Sequence, residues 1–234
     1  MKPSPWDAVR WAGRIAALLA APVYTLWALE FVLPTGLDAT VSFVSELQAR
    51  DRPYAGFFRV GDLISGALSI AAGAACLAAG APGRWPRVTG LALVVFGAAT
   101  VVDASVPMDC AVSVSARCAA LDRAHEFTTT HTYSSSVAGA AALVGGAALT
   151  LAVRPVAVRA FAALCALLVV EALALAVSLV LLALGFGEPV PGFGTAQRVH
   201  VSAIALWLLA VGVLPALWDG RTRGPGGESP APAH

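Results

Sequence analysis

The sequence predicts an all-α, polytopic membrane protein: a bundle of six transmembrane helices with both termini in the cytoplasm. Hydrophobic residues make up 58% of the 234 residues and charged residues only 12%, and the mean hydropathy is +0.77. A soluble domain with a polar surface could hardly reach these values. Six apolar stretches each have about 20 residues, the length that crosses a hydrocarbon core of about 30 Å.

The predicted spans follow one another without a second domain. They are residues 15–33, 60–80, 88–106, 132–153, 160–185 and 199–218. The first span follows a basic segment, as a secretory signal does, but it is long for a signal and no small-residue cleavage site follows it. Residues 1–219 are therefore predicted to form one transmembrane domain. Residues 220–234, rich in Gly, Pro and Ser, are predicted to be a disordered cytoplasmic tail.

The distribution of Lys and Arg predicts the orientation in the cell membrane. With the N-terminus inside, the inner segments hold nine of the 15 Lys and Arg residues and the outer segments hold six. This excess favours cytoplasmic termini by the positive-inside rule. The sequence contains no basic patch of the kind that binds nucleic acid. The inner loops are short and the outer ones long, so we expect the polar chemistry on the outer side.

The four cysteines divide into two pairs. Cys76 and Cys165 lie within spans, where a free thiol behaves as a small apolar residue. Cys110 and Cys118 lie in the outer segment between the third and fourth spans, where an oxidising compartment permits a disulfide. The sequence leaves open whether they pair. A zinc knuckle is disfavoured because no second cysteine pair accompanies them.

Five apolar helices each carry one ionisable residue near an end. Because successive helices cross the bilayer in opposite directions, all five fall on the outer side; they are Glu30, Asp62, Asp103, His131 and His200. An ionisable group inside a membrane is costly and is a functional-site hypothesis by default. The layer therefore predicts an outer polar pocket.

Two carboxylates at the end of the third span are candidate catalytic residues. Pro107 disrupts the helix and lets Asp103 and Asp109 approach a common outer cavity. Paired carboxylates have separated pKa values, which acid/base chemistry or a cation site requires. The alternative is that Asp109 only caps a turn. In the second span, Arg59 and Asp62 begin an inward-facing polar stripe and have the structural alternative of pairing with each other.

Histidines supply the candidate metal ligands. His125 and His131 lie six residues apart, about 240° around one helix, so both face one ion only if the helix begins between them. His131 and His200 are also candidate catalytic groups. With Asp109, the three histidines contain the ligand types of a zinc site that activates water. Lone histidines at helix starts are more often hydrogen-bonded structural groups.

The remaining candidates are assigned to substrate binding. Ser45 and Glu46 lie in a short interfacial helix with their side chains turned toward the mouth of the bundle. Gln197 and Arg198 open the sixth span, where Arg198 is suited to an anionic head group. Glu171, in the middle of the fifth span, either extends the pocket as a ligand or proton path or is a neutral, hydrogen-bonded carboxyl group.

A family resemblance covers nearly the whole chain. Its residues are Ser45, Glu46 and Leu47 after the first span, Pro107, Met108 and Asp109 after the third, His125 before the fourth, and Gln197 and Arg198 entering the sixth. In this order they resemble the bacterial six-helix membrane family catalogued as domain of unknown function 998. Gln48 and the cysteine-bearing insert depart from that pattern. The resemblance implies the topology and a polar outer site, and it implies no established reaction.

A weaker similarity, of residue types only, is to the superfamily of alkaline ceramidases and adiponectin receptors. Those membrane hydrolases have seven helices and a His-x-x-x-His motif in the last. This chain has six predicted spans, and Ile204 stands four residues after His200. The analogy supports a zinc hydrolase only as a hypothesis.

The sequence supports three interpretations of the function. The first is a membrane enzyme acting on a lipid or isoprenoid-like amphiphile at the outer leaflet, by zinc-assisted hydrolysis or by carboxylate acid/base chemistry. The second is a non-enzymatic protein that binds or transports a lipid or small molecule, or an assembly partner in the membrane. A bundle whose polar residues only join its outer ends is the third, structural interpretation. Substrate and oligomeric state are beyond the sequence.

Overall fold

The computed structural model describes residues 4–123, 129–154, 157–184 and 190–218. Its α-helices, in chain order, are α1 (Pro5–Tyr24), α2 (Ala55–Ala79), α3 (Arg84–Ser105), α4 (Ala116–Arg123), α5 (Thr129–Val153), α6 (Val158–Leu184) and α7 (Phe193–Val213). Short 3₁₀ helices occupy Thr25–Phe31, Val44–Gln48, Val112–Val114 and Pro215–Leu217. No strand occurs among these residues, which confirms the all-α prediction. The tail 220–234 and His125 lie outside the described residues.

Six helices are long and apolar enough to cross a membrane, as the sequence predicted. They are α2, α3, α5, α6, α7 and the continuous segment Pro5–Phe31. The first begins well before the predicted residue 15, because Ser4 and Asp7 form a capping box that starts α1 in polar sequence. The last ends at Val213 rather than at residue 218, since Pro215 cannot continue an α-helix.

The long helices form a ring in which α1, α2, α3, α5, α6 and α7 follow one another and α7 packs back against α1. Aromatic side chains fill its interior. The Phe96 ring lies 5.4 Å from that of Tyr24 and 5.9 Å from that of Trp207, both edge to face. Helix α6 is the least buried of the six, since only 17% of its apolar stretch is buried inside the protein.

Glycines bring the backbones of α2 and α3 into contact. A Cβ atom added at Gly73 would lie 2.6 Å from the carbonyl oxygen of Gly90, and one added at Gly66 would lie 2.8 Å from that of Gly97. Without a hydrophobic force between helices in lipid, such close van der Waals contact is a main source of association. The small residues therefore fix the α2–α3 pair that carries the site residues.

The start of α1 meets the ends of α2 and α7 at one end of the bundle. Arg10 Nε donates to the carbonyl of Ala79 at 2.6 Å, and Arg14 Nε donates to that of Gly212 at 3.1 Å. These contacts place the start of α1 beside the carbonyl ends of α2 and α7, where a cation is favoured by the helix dipole. That this end faces the cytoplasm remains a prediction.

Candidate functional site

The polar residues gather at the opposite end of the bundle, called here the site end: α3 ends there, and α2, α5 and α7 begin there. The connection between the first two spans crosses this end. It carries Ser45 within the 3₁₀ helix Val44–Gln48. The short helix predicted from the sequence at this place is therefore present.

The Glu46 side chain accepts three hydrogen bonds that hold the 3₁₀ helix carrying Ser45 in place. It is fully buried; its Oε1 accepts the Phe43 N–H at 3.2 Å, and its Oε2 accepts the Ser113 hydroxyl at 2.5 Å and the Ser113 N–H at 3.2 Å. Burial raises the pKa of the Glu46 carboxyl group above its usual value, and the hydrogen bonds from Ser113 and Phe43 oppose that rise. Glu46 thus joins the Ser45 helix to the segment after α3.

Gln197 and Arg198 of α7 hold the same connection from the other side. Gln197 Oε1 accepts the Val44 N–H at 2.6 Å. Arg198 donates to the main-chain oxygen of Ser42 at 2.9 Å and forms a bidentate pair with Glu30 at 2.6 and 2.5 Å. Both charged side chains are more than nine-tenths buried. The charge of Arg198 is therefore neutralised inside the protein.

Ser45, His131 and Asp103 form a continuous polar chain from three separate parts of the sequence. Ser45 Oγ lies 3.0 Å from His131 Nε2, and His131 Nδ1 lies 3.0 Å from Asp103 Oδ1. The Nδ1–H direction is not aligned on Oδ1, so the second contact is a close ion-pair distance rather than a formed hydrogen bond. Such contacts in catalytic sites often tighten only when a substrate is bound.

Asp103 is held by the first turns of α5. Its Oδ1 accepts the hydroxyl of Ser134 at 2.5 Å and that of Ser135 at 3.0 Å. His131, Ser134 and Ser135 are three and four residues apart, so they share one helical face, and that face packs on α3. The carboxylate is consequently fixed in position beside the imidazole.

Asp62 and Arg59 do not pair with each other. Asp62 Oδ2 accepts the Gln48 side-chain amide at 2.5 Å, and Arg59 Nε donates to the Ala104 carbonyl at 3.1 Å. The ion-pair alternative considered for these two residues is therefore wrong, because each finds a partner on a neighbouring segment. The stripe faces inward as predicted: Ser65 and Ser69 are fully buried.

Asp109 lies apart from Asp103. Its exposed carboxylate is 3.4 Å from Arg50 Nε, at the surface of the site end. Next to it, a disulfide joins Cys110 to Cys118, with Cα atoms 6.0 Å apart. Met108, on the other side, contacts Ser45 through its sulfur at 3.8 Å. The segment after α3 thus covers Ser45 and is closed by the disulfide.

His200 and Glu171 lie deeper in the bundle. His200 is adjacent to Gly139 of α5, and Glu171 is adjacent to Gly146. Among the described residues, no group of three or more His, Cys, Asp or Glu side chains could hold a metal ion. Since His125 lies outside those residues, the predicted zinc set of His125, His131, His200 and Asp109 stays a prediction.

An apolar groove of about 500 Å³ opens on the side of the bundle between the 3₁₀ extension of α1, α6 and α7. Its lining includes Trp27, Phe31, Leu167, Val170 and Leu206. None of Ser45, His131 and Asp103 borders it. The groove is therefore separate from the polar chain.

The six apolar helices define a helical, multi-pass membrane protein. The chain belongs to the family described as "Protein of unknown function (DUF998)", whose family model matches residues 15–214. This confirms the resemblance seen in the sequence. No curated protein and no solved structure matches the chain.

Sequence reasoning placed several of these residues at the site end but missed what connects them. Ser45 was assigned to substrate binding, whereas it contacts the imidazole of His131. Ser134 and Ser113 were not singled out, although the spacing of Ser134 from His131 was a usable signal. The partners of Glu46 and Arg198 could not be predicted from neighbouring residues, since each partner lies far away in the sequence.

Proposed function

We propose that this protein is a membrane serine hydrolase that cleaves an acyl ester or amide of an amphiphilic lipid at the outer leaflet. The observation that supports this proposal is a pair of distances. Ser45 Oγ lies 3.0 Å from His131 Nε2, and His131 Nδ1 lies 3.0 Å from Asp103 Oδ1. A nucleophile, a base and an orienting carboxylate in this order define a Ser-His-Asp triad by geometry and role, whatever the fold.

Each triad residue has one chemical task. His131 Nε2 takes the hydroxyl proton as Ser45 Oγ attacks the acyl carbonyl carbon and forms a C–O bond. The imidazolium then gives that proton to the departing alcohol or amine, which leaves an acyl-serine ester. Water, deprotonated by the same histidine, hydrolyses the ester and restores Ser45. Asp103 stabilises the imidazolium, and Ser134 and Ser135 hold Asp103 in place.

The surroundings of the triad favour a substrate that partitions into the membrane. His131 and Asp103 are partly accessible, at 14% and 17% of their side-chain surface. Around them the exposed residues include Val102, Val106 and Tyr133, which are exposed by 45%, 47% and 68%. An acyl chain can lie against such a surface while its carbonyl group reaches Ser45. The positive-inside prediction assigns this end to the outer leaflet.

Labelling with a fluorophosphonate probe tests the proposal on the full chain in lipid nanodiscs. We expect covalent phosphonylation at Ser45, identified by mass spectrometry, and its loss in Ser45→Ala and His131→Gln. Ser105→Ala is the matched control, because Ser105 also lies at the site end but bonds only to its own helix. Equal labelling of wild type and Ser45→Ala would refute the assignment of the nucleophile.

The same preparations test the zinc hypothesis. Stoichiometric zinc, together with lipid-ester hydrolysis that survives Ser45→Ala, would favour metal-assisted hydrolysis through His125 and His131 over the serine mechanism. Labelling of Ser45 that is unaffected by a chelator would favour the triad. Either outcome distinguishes the two enzyme mechanisms.

A second candidate function, binding of a lipid without chemistry, is supported by the apolar groove beside α6 and α7. Its volume of about 500 Å³ is within the range of small-molecule sites. Native mass spectrometry would detect a retained lipid that Leu206→Trp displaces. Absence of any lipid difference between wild type and this variant would remove the support for this function.

A further inference from the structure

Three buried polar atoms deep between α5, α6 and α7 have no hydrogen-bond partner among the described residues. They are Glu171 Oε1, His200 Nδ1 and Trp207 Nε1. Their residues are only 1%, 7% and 1% exposed. Buried polar groups nearly always have a hydrogen-bond partner. Three buried atoms without one, on adjacent helices, therefore require a physical explanation.

Glycines of α5 bring these groups to one place. A Cβ atom added at Gly139 would lie 3.5 Å from His200 Nε2. One added at Gly146 would lie 3.6 Å from Glu171 Oε2 and 3.9 Å from Trp207 Cδ1. Helices α5 and α7 each supply two of these residues at a spacing of seven, which keeps both members of a pair on one face. The small residues therefore leave room for polar groups where side chains would otherwise pack.

The three helices also connect the groups to one another. The His200 imidazole faces the main chain of Glu171, and Glu171 stands at the midpoint of α6. His200 lies at the start of the third turn of α7, two residues after Arg198. The site thus extends from the site end toward the centre of the membrane.

No charged side chain among the described residues pairs with Glu171. On its own helix Ser178 donates to the Ala174 carbonyl, and on α5 the residue beside the Glu171 carboxyl group is Gly146. On α7 the nearest cation, Arg198, is committed to Glu30. On α1, Tyr24 lies within electrostatic range of Glu171, and of Asp62 and Asp103. A permanently ionised Glu171 would therefore lack any compensating charge.

We propose that Glu171, His200 and Trp207 form an internal proton-binding site within the membrane, independent of the triad. Glu171 binds the proton as a neutral carboxylic acid. His200 exchanges it with the site end, taking a proton at one ring nitrogen and releasing one at the other. The Trp207 N–H donates to a water molecule that bridges the two groups, since the donors and acceptors present match those of water.

Infrared difference spectroscopy on the full chain in lipid bilayers tests this proposal. Between acidic and alkaline buffer we expect a protonated-carboxyl band to disappear and to shift with ¹³C-glutamate labelling. Glu171→Gln should lose that band, and His200→Gln should move its midpoint by about one pH unit or more. Ser178→Ala, on the same face of α6, should leave it unchanged.

Three results would overturn the proposal. They are a band that persists in Glu171→Gln, a Glu171 band that does not titrate, and a midpoint that His200→Gln leaves in place. The isotope label separates glutamate from aspartate bands in the wild-type protein, and the midpoint shift in His200→Gln keeps the test available where Glu171→Gln folds poorly. Fluorophosphonate labelling of Ser45 is a separate measurement, so failure here is distinguishable from failure of the hydrolase.

Discussion

Nδ1 of His131 lies 3.0 Å from Oδ1 of Asp103, across the contact between the start of α5 and the end of α3. The two helices are consecutive spans that run in opposite directions. Because the same carboxylate oxygen also accepts Ser134 and Ser135, its position is determined by α5 and not by its own flexible side chain. The carboxylate therefore lies beside Nδ1 of an imidazole whose Nε2 is 3.0 Å from Ser45 Oγ.

Removing the charge of Asp103 should impair the hydrolase. In Asp103→Asn we expect the rate of fluorophosphonate labelling, or of hydrolysis of a lipid ester, to fall about a thousandfold or more, since the imidazolium loses its stabilising carboxylate. Asp38→Asn is the control, because Asp38 bonds only to the nearby Thr40. A loss of less than tenfold in Asp103→Asn would contradict the role assigned to this residue.

Breaking the Glu30–Arg198 pair should destabilise the protein. Glu30→Gln leaves a buried guanidinium without a counter-charge, which typically costs about 3 to 5 kcal/mol. Thermal unfolding in detergent should therefore begin at a clearly lower temperature. The solvent-accessible pair of Asp7 and Arg10 provides the contrast: Asp7→Asn should lower the unfolding temperature far less than Glu30→Gln does. Equal effects of both variants would be inconsistent with a buried pair.

The pKa of Glu46 predicts a pH dependence of stability. Its folded-state pKa is raised above the usual value of 4.5, so the folded protein binds this proton more strongly than the unfolded chain does. The corresponding stabilisation is complete below that usual value and is lost as pH rises through the raised pKa.

Glu46→Gln should remove this component, and because an amide has a single accepting oxygen it cannot accept from both Phe43 and Ser113. We therefore expect the variant to be less stable but to depend less on pH just above 4.5. Unfolding temperatures across that pH range measure both effects. An unchanged pH dependence would assign the titration to another group.

The backbone contact between α2 and α3 predicts intolerance of larger side chains. Gly73→Val would place its Cβ against the Gly90 carbonyl and the Leu93 side chain, at a cost of about 1 to 3 kcal/mol or more. Gly56→Ala should have little effect, because nothing lies within 4 Å of an added Cβ there. Thermal unfolding of the two variants distinguishes close packing from a general effect of replacing glycine in α2.

The disulfide should stabilise the segment that covers Ser45. Removing it in the Cys110→Ser, Cys118→Ser double variant is expected to cost about 2 kcal/mol, because the short loop gains conformational freedom when unfolded. Ser113 and Met108 belong to this segment or adjoin it, so labelling of Ser45 should also slow. A variant with wild-type unfolding temperature and labelling rate would show that the cross-link contributes to neither.

Several elements of the fold could be predicted because each depends on local sequence. Apolar length alone determines six spans, and Pro107 shows where the third span ends. The depth of Asp103 and His131 in apolar sequence also marked both as candidates at one end of the bundle. Helix starts were less accurate, since the capping of α1 by Ser4 and Asp7 lies outside the apolar stretch.

The connections among the site residues could not be predicted in the same way. Glu30 and Arg198 are 168 residues apart, and Glu46 and Ser113 are 67 residues apart. The sequence around Arg198 does not show whether the guanidinium pairs with a buried carboxylate or with a lipid head group, because either anion can accept its hydrogen bonds. Asp109 was predicted to share an outer cavity with Asp103, yet it lies at the surface beside Arg50.

The sequence by itself determined a six-helix membrane protein with its ionisable residues toward one end, because hydrophobic length and the cost of charge in lipid act on each segment separately. Only the tertiary structure decided that Ser45 meets His131 and that His131 meets Asp103. It also decided that Glu171 Oε1 and His200 Nδ1 have no hydrogen-bond partner within the described part of the chain. Those relationships depend on how helices pack side by side, which small residues such as Gly139 and Gly73 permit without specifying the partner.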